Sequence, residues 1–116
     1  MKDIYKQIEY KGRAYKLVFN INVMEQIQDE YGSMAHWGEL TDGSATGEAS
    51  IKAIKFGICA MLNEGIDIEN EENGTDIKPF TLVQVGRLLS DIGLDNITEM
   101  MTKTVIDSTQ PAEKNA

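Results

Sequence analysis

The stretch from Ile4 to Gly32, IYKQIEYKGRAYKLVFNINVMEQIQDEYG, decides the fold because its hydrophobic pattern changes from strand spacing to helix spacing. Apolar and polar side chains alternate up to Tyr10, and a second strand-like run covers Ala14–Phe19. Gly12 lies between the two runs and can adopt the positive φ angle that a tight turn needs. The pattern predicts an N-terminal β-hairpin.

The second half of this stretch predicts a first helix from Val23 to Tyr31. Asn22 and Glu25 have the spacing of a capping box, with Asn in the place of the usual Ser or Thr. Gly32 fits a helix stop. For Ser33–Leu40 we expect no more than a short turn.

A glycine-rich loop over residues 41–47 precedes the strongest helix pattern, which starts at Ile51 and is expected to end near Glu64, before Gly65. Ala53, Gly57 and Ala60 leave room for close packing on this second helix. The following segment, Asp67–Asp76, is predicted to be an acidic loop with a turn at Asn73-Gly74.

Two further helices follow. Thr81 and Gln84 predict a capping box at the start of the third helix, Gly93 breaks the chain, and the fourth helix is expected over Ile97–Asp107. The fold class is therefore α+β and mainly helical: an N-terminal β-hairpin followed by three to four packed helices. We predict one domain over residues 1–108 and a disordered tail over residues 109–116. The predicted core on helices two and three comprises Ile54, Ile58, Met61, Leu82, Val85 and Leu88.

Composition limits the classes of function. The chain has 116 residues, and 19 acidic against 11 basic residues give a net charge of −8. This charge argues against a nucleic-acid partner and against docking on anionic membranes, because both need clustered Lys and Arg. No apolar run is long enough to span a membrane, the N-terminus lacks a signal-peptide pattern, and Cys59 is the only cysteine. We therefore expect a cytoplasmic protein.

Residues that could perform catalysis do not form a recognisable pattern. Cys59 lies in the apolar second helix, which favours a buried, inert thiol over a nucleophile. His36 is the only histidine, so a multi-histidine metal site is excluded. We expect no enzymatic activity, no cofactor and no metal.

The acidic segment invites a calcium hypothesis, because Asp67, Glu69 and Glu71 alternate as an EF-hand loop begins. The sixth loop position is Glu72, where the turn needs Gly, and the twelfth is Lys78, where the ion needs a bidentate Glu. The pattern therefore favours a solvated acidic segment.

Three residues are candidates for protein binding. Trp37 is of the type favoured at interface hot spots, although it can equally cover the hairpin core. Met100 and Met101 are able to form an adaptable apolar face, although core packing of at least one of them is the simpler interpretation.

The order of the motifs carries more information than any single site. A hairpin ending in Tyr15-Lys16-Leu17-Val18-Phe19 runs into a helix that begins Asn22-Val23-Met24 and ends Glu30-Tyr31-Gly32. An apolar helix at Ile51–Gly57 and the capped segment Phe80–Leu89, closed by Gly93-Leu94, follow. Over about residues 5–107 this order resembles the small tail assembly chaperones of long-tailed bacteriophages and the related tail proteins of gene transfer agents.

The resemblance implies a mainly helical, non-catalytic protein with an N-terminal β element. Its partner would be the phage or prophage tail tape-measure protein, which it would coat and keep soluble while the tail tube polymerises, with the tube protein as a further partner. Association into a homo-oligomer is left open. Two alternatives remain: an acidic phage or mobile-element inhibitor that mimics nucleic acid, suggested by the net charge, and a structural tail component.

Overall fold

The computed structural model describes residues 6–109, and in this range the chain forms one two-stranded antiparallel sheet and five helices. In chain order the elements are β1 (Lys6–Tyr10), β2 (Arg13–Leu17), α1 (Ile21–Tyr31), α2 (Met34–Asp42), α3 (Ile51–Asn73), α4 (Leu82–Ile92) and α5 (Leu94–Thr109). The predicted α+β class, a hairpin followed by packed helices, is confirmed. Ile4 and residues 110–116 of the predicted tail lie outside the described residues, whereas Thr109 is the last residue of α5.

The hairpin closes as its sequence predicts. Tyr10 pairs with Arg13 and Ile8 with Tyr15, so two residues form the connection. Lys11 and Gly12 both have positive φ angles, 52° and 79°, as the tight turns that match the twist of paired strands require.

Helix α1 begins earlier than predicted, and its cap is a different asparagine. The Oδ1 atom of Asn20 accepts a hydrogen bond from the Val23 N–H at 3.2 Å. The amides of Asn20 and Asn22 both donate to Glu64 Oε2, at 2.8 and 3.0 Å. The predicted capping box at Asn22 is therefore wrong: Asn20 caps α1, while Asn22 connects α1 to α3.

Helix α2 stands where only a short turn was expected, and it raises the number of helices above the predicted three to four. Ser33 caps it, because its hydroxyl accepts a hydrogen bond from the His36 N–H at 3.0 Å. The helix buries Trp37 and Thr41 and ends at Gly43, which has a left-handed conformation. Burial of these two side chains thus stabilises a full helix in a segment whose sequence alone indicates only a turn.

Helix α3 does not end before Gly65, and the prediction of an acidic loop from Asp67 is wrong up to Asn73. A β-carbon at Gly65 would lie 2.5 Å from the carbonyl oxygen of Lys16. Glycine at this position therefore allows β2 to approach the helix and does not terminate it. The actual end is Gly74, with a φ angle of 66°, which matches the predicted turn.

The start of α4 is confirmed as a capping box. Thr81 Oγ1 accepts from the Gln84 N–H at 3.1 Å, and Gln84 Oε1 accepts from the Thr81 N–H at 2.9 Å. Helix α5 begins immediately after Gly93, earlier than the predicted start at Ile97.

The core forms around α3, which packs against β2, α1, α2, α4 and α5. Five of the six predicted core residues on α3 and α4 are buried. Leu82 is 48% exposed, so its predicted burial is wrong. Leu82 is the first residue of α4, and its neighbours Thr81 and Val83 are also exposed. Burial on this helix begins only at Val85.

Two asparagines of α3 hold the extended segment between α3 and α4. The Asn70 amide accepts from the Ile77 N–H at 2.9 Å and donates to the Ile77 carbonyl at 3.0 Å. Asn63 does the same for Phe80, at 2.7 and 3.0 Å. Each amide thus replaces the strand partner that this backbone lacks. The segment is fixed along α3, and the Phe80 ring is turned into the core.

Asn63→Ala and Asn70→Ala should each lower the free energy of unfolding by about 1–3 kcal/mol, because each leaves one backbone N–H without its partner and removes the amide donor to one C=O. The double variant should lose less than the sum, since both residues hold the same segment. Urea denaturation measures all three values.

Asn73→Ala is the matched control on the same helix, because the Asn73 side chain is exposed. Its effect should stay within about 0.5 kcal/mol. Strictly additive losses at Asn63 and Asn70 would contradict a shared role.

Candidate protein-binding surface

Trp37, the first candidate binding residue, lies between α2 and α3 and is only 4% exposed. Its indole Nε1–H donates to the Ala53 carbonyl at 2.9 Å. Gly57 makes room for the ring, since a β-carbon there would lie 2.4 Å from Trp37 Cζ2. Trp37 is therefore a core residue, although it covers α3 and not the hairpin.

The two methionine candidates lie on different sides of α5. Met101 is buried, and its sulfur would be 3.3 Å from a β-carbon at Gly57, so it packs beside Trp37. Met100 is half-buried. The structure thus brings Trp37 and Met101 together and leaves only Met100 partly accessible.

Two shallow grooves flank α5. The first, the α4–α5 groove, has a volume of about 480 Å³ and is lined by Ile92, Asn96, Glu99, Met100 and Lys103. Glu99 and Lys103 form an ion pair of 3.3 Å at its rim, and both side chains are more than half exposed. Such a pair contributes little to stability, so the groove can exchange it for a partner's groups at small cost.

The second, the α2–α5 groove, lies across the helix and has a volume of about 200 Å³. Buried Trp37 and Met101 contribute to its floor, and Val105 and Ile106 lie at its side. Ile106 is 47% exposed and presents an apolar side chain to solvent at the edge of this groove. The two grooves together form the α5 surface.

The α5 surface contains all three candidates together with three apolar residues, Ile92, Val105 and Ile106, that sequence reasoning did not assign to binding. Ile106 is part of the apolar pattern of this helix and therefore resembles a core residue in the sequence. Only the packing of α5, which buries the stripe of Ile97, Met101 and Thr104, shows that Ile106 faces outward.

The remaining reactive side chains lie apart from this surface. His36 is exposed on α2. Cys59 is half-buried on α3, where its thiol is 3.6 Å from the Phe80 carbonyl oxygen and 3.5 Å from Asn63 Nδ2. Burial raises the pKa of this thiol, and the hydrogen bond from Asn63 offsets part of the effect. The thiol is thus less exposed and less acidic than a typical nucleophile.

Within residues 6–109, no group of three or more His, Cys, Asp or Glu side chains is arranged to hold a metal ion. None of the helices in this range has the length and apolar character needed to cross a bilayer. Asp67, Glu69 and Glu71, the residues of the excluded calcium hypothesis, lie on the last turns of α3.

No protein-family model matches the chain, and searches of curated proteins and of solved structures give no match either.

Gly57→Ala should displace the indole of Trp37, because the added methyl group would occupy the position of the ring. Trp37 is the only tryptophan, so the wavelength of maximum fluorescence emission reports on it alone. We expect a red shift and a loss of about 1–3 kcal/mol in stability from overpacking. Gly38→Ala on α2, where a β-carbon meets nothing within 4 Å, should leave the emission unchanged. An unshifted spectrum in Gly57→Ala would contradict this packing.

The pKa of Cys59 predicts an alkaline loss of stability. Because burial raises the thiol pKa in the folded state, the folded chain retains a proton that the unfolded chain has already released. The protonated thiol therefore contributes its full share of stability below the ordinary thiol pKa of about 8.5. This contribution is lost as the pH rises through the pKa of Cys59 in the folded state. Between neutral and alkaline pH, the denaturation midpoint of the wild type should therefore fall more steeply with pH than that of Cys59→Ala. Parallel slopes would show that Cys59 does not contribute.

Proposed function

We propose that this protein is a non-enzymatic tail assembly chaperone of a phage or prophage, which binds the tape-measure protein and keeps it soluble while the tail tube grows. The observation that carries the proposal is the path of the chain from hairpin to helix. Residues Leu17, Val18 and Phe19 are buried directly after β2, and α1 follows at once. This is the order of elements on which the resemblance to the tail chaperones is based.

The α5 surface supports the proposal, because it suits a long helical partner. A tape-measure protein is expected to have apolar stripes along its helices, and such stripes aggregate unless they are covered. The α4–α5 groove offers Ile92 and Met100 to an apolar stripe, and the flexible thioether of Met100 adapts to different side chains. Helix-in-groove contacts of this size are weak individually and gain strength from repetition along the partner.

The net charge of −8 supports the same role. Several copies bound along one partner would add negative charge to the complex, and charge of one sign opposes aggregation. Weak apolar contacts then allow the copies to leave one by one as the tube advances.

Co-expression with a tape-measure protein, sought among the genes next to its own, should raise the soluble yield of that protein, and the two should co-purify at low salt. Met100→Glu and Ile106→Glu should reduce both, because each places a carboxylate on the α5 surface. Ile21→Glu is the matched control, since Ile21 is 74% exposed on α1 and lines neither groove of the α5 surface. Circular dichroism confirms that the three variants are folded.

Unchanged solubility of the tape-measure protein and no co-purification would contradict the proposed function. Equal losses in Met100→Glu and Ile21→Glu would show that the α5 surface is not the binding site. Assembly of the purified protein alone into rings or tubes at high concentration would instead identify a structural tail component.

A further inference from the structure

A cleft beside the hairpin has the opposite charge to the rest of the molecule. It has a volume of about 320 Å³ and lies between the hairpin turn, the segment before α4 and the first turns of α4. Its lining includes three aromatic rings and three cations, Tyr10, Tyr15, Phe80, Lys11, Lys78 and Arg87. None of the acidic side chains within residues 6–109 lines it. We call it the basic aromatic cleft.

The aromatic part of the cleft is held rigidly. Phe80 packs edge-on against Tyr15, with ring centroids 4.9 Å apart, and against Tyr10 at 5.9 Å. The Asn63 amide fixes the backbone of Phe80 on both sides. Phe80 is buried, whereas Tyr10 and Tyr15 are half-buried and keep part of their surface open to the cleft. The apolar floor of the cleft is therefore formed before a ligand binds, and its aromatic side chains lose little conformational freedom on binding.

The cations of the cleft are available. Lys78 and Arg87 are exposed, and neither forms an ion pair with another residue of the described range 6–109. Lys11 lies over the ring of Tyr10, with its ammonium 5.5 Å from the centroid. Arg13, on the same hairpin, differs because Glu69 neutralises it at 2.6 Å. The positive charge of the cleft is thus not compensated by the chain itself.

We propose that the basic aromatic cleft binds a short acidic segment of a partner protein. An apolar side chain of that segment packs on Tyr10 and Tyr15, and carboxylates on either side of it pair with Lys78 and Arg87. Charge-assisted hydrogen bonds of this kind are stronger than neutral ones, and the guanidinium of Arg87 can hold a carboxylate with two parallel bonds. This site is independent of the α5 surface and of the function proposed for it.

A peptide segment fits the cleft better than a nucleic acid. A polynucleotide extending beyond the cleft would meet a chain with a net charge of −8, which repels phosphates. Nucleic-acid affinity depends on neutralising many phosphates, and only three cations are present here. A few carboxylates around one apolar side chain match both the number of cations and the size of the floor.

The test uses the purified protein and the synthetic peptide acetyl-Glu-Glu-Leu-Phe-Glu-Glu-amide as probe. Heteronuclear NMR at low salt should show saturable shifts confined to the amides of the hairpin turn and of residues 77–87. The peptide with Gln in place of every Glu should bind at least about tenfold more weakly, which corresponds to about 1.4 kcal/mol of charge-assisted bonding.

The variant pair separates the cleft from overall charge. Lys78→Glu combined with Arg87→Glu should weaken binding by about tenfold or more. Lys16→Glu combined with Lys52→Glu gives the same change in net charge at two exposed residues that line neither the cleft nor the α5 surface, and it should have a much smaller effect. Thermal melting monitored by circular dichroism shows that both pairs fold.

Three results would overturn the proposal. The first is equal weakening in both variant pairs, which would mean long-range attraction alone. The second is binding of oligo(dT) in the cleft where the acidic peptide does not bind. The third is self-association of the free protein that Lys78→Glu abolishes, since the cleft would then hold a second copy of this chain.

Discussion

The close approach of β2 to the bare backbone of α3 at Gly65 is the contact on which the rest of the structure depends. The carbonyl oxygen of Lys16 lies 2.5 Å from the position that a β-carbon of Gly65 would take, so only glycine fits here. One turn earlier on α3, the Met61 carbonyl accepts a hydrogen bond from the Val18 N–H at 3.2 Å. The hairpin is thereby attached to the middle of α3, and Leu17 and Phe19 enter the core.

The remaining elements take their places around this attachment. Glu64, next to Gly65, accepts hydrogen bonds from both Asn20 and Asn22, which sets where α1 begins. Gly57, two turns before Gly65, also lacks a side chain and so makes room for the indole of Trp37, which positions α2. The amides of Asn63 and Asn70 then fix the segment that leads to α4. A single long helix thus positions β2 and α2 at glycines, α1 at one polar side chain and the segment before α4 at two.

Sequence reasoning succeeded where the signal is local and failed where tertiary contacts decide. The turn at Lys11-Gly12 and the capping box at Thr81 are determined by residues a few positions apart, and both are confirmed. Gly65 looks like a helix stop until β2 is placed against it, and the exposure of Ile106 follows only from the packing of α5. The basic aromatic cleft was not predictable for the same reason, because Lys11 of the hairpin turn is distant in the sequence from Lys78 and Arg87.

The distribution of charge follows from this arrangement and has little to do with stability. Arg13 and Glu69 form the ion pair that connects the hairpin to α3, yet their side chains are 42% and 35% exposed, and a pair so open to solvent contributes little. Apolar burial around α3 therefore maintains the fold, and the surface charges are free to serve other purposes. Charges that stability does not require act on the selection of partners and on the rate of encounter. A cationic cleft on an acidic chain is such a device, because its three cations match a short acidic segment, whereas the net charge of −8 repels long polyanions.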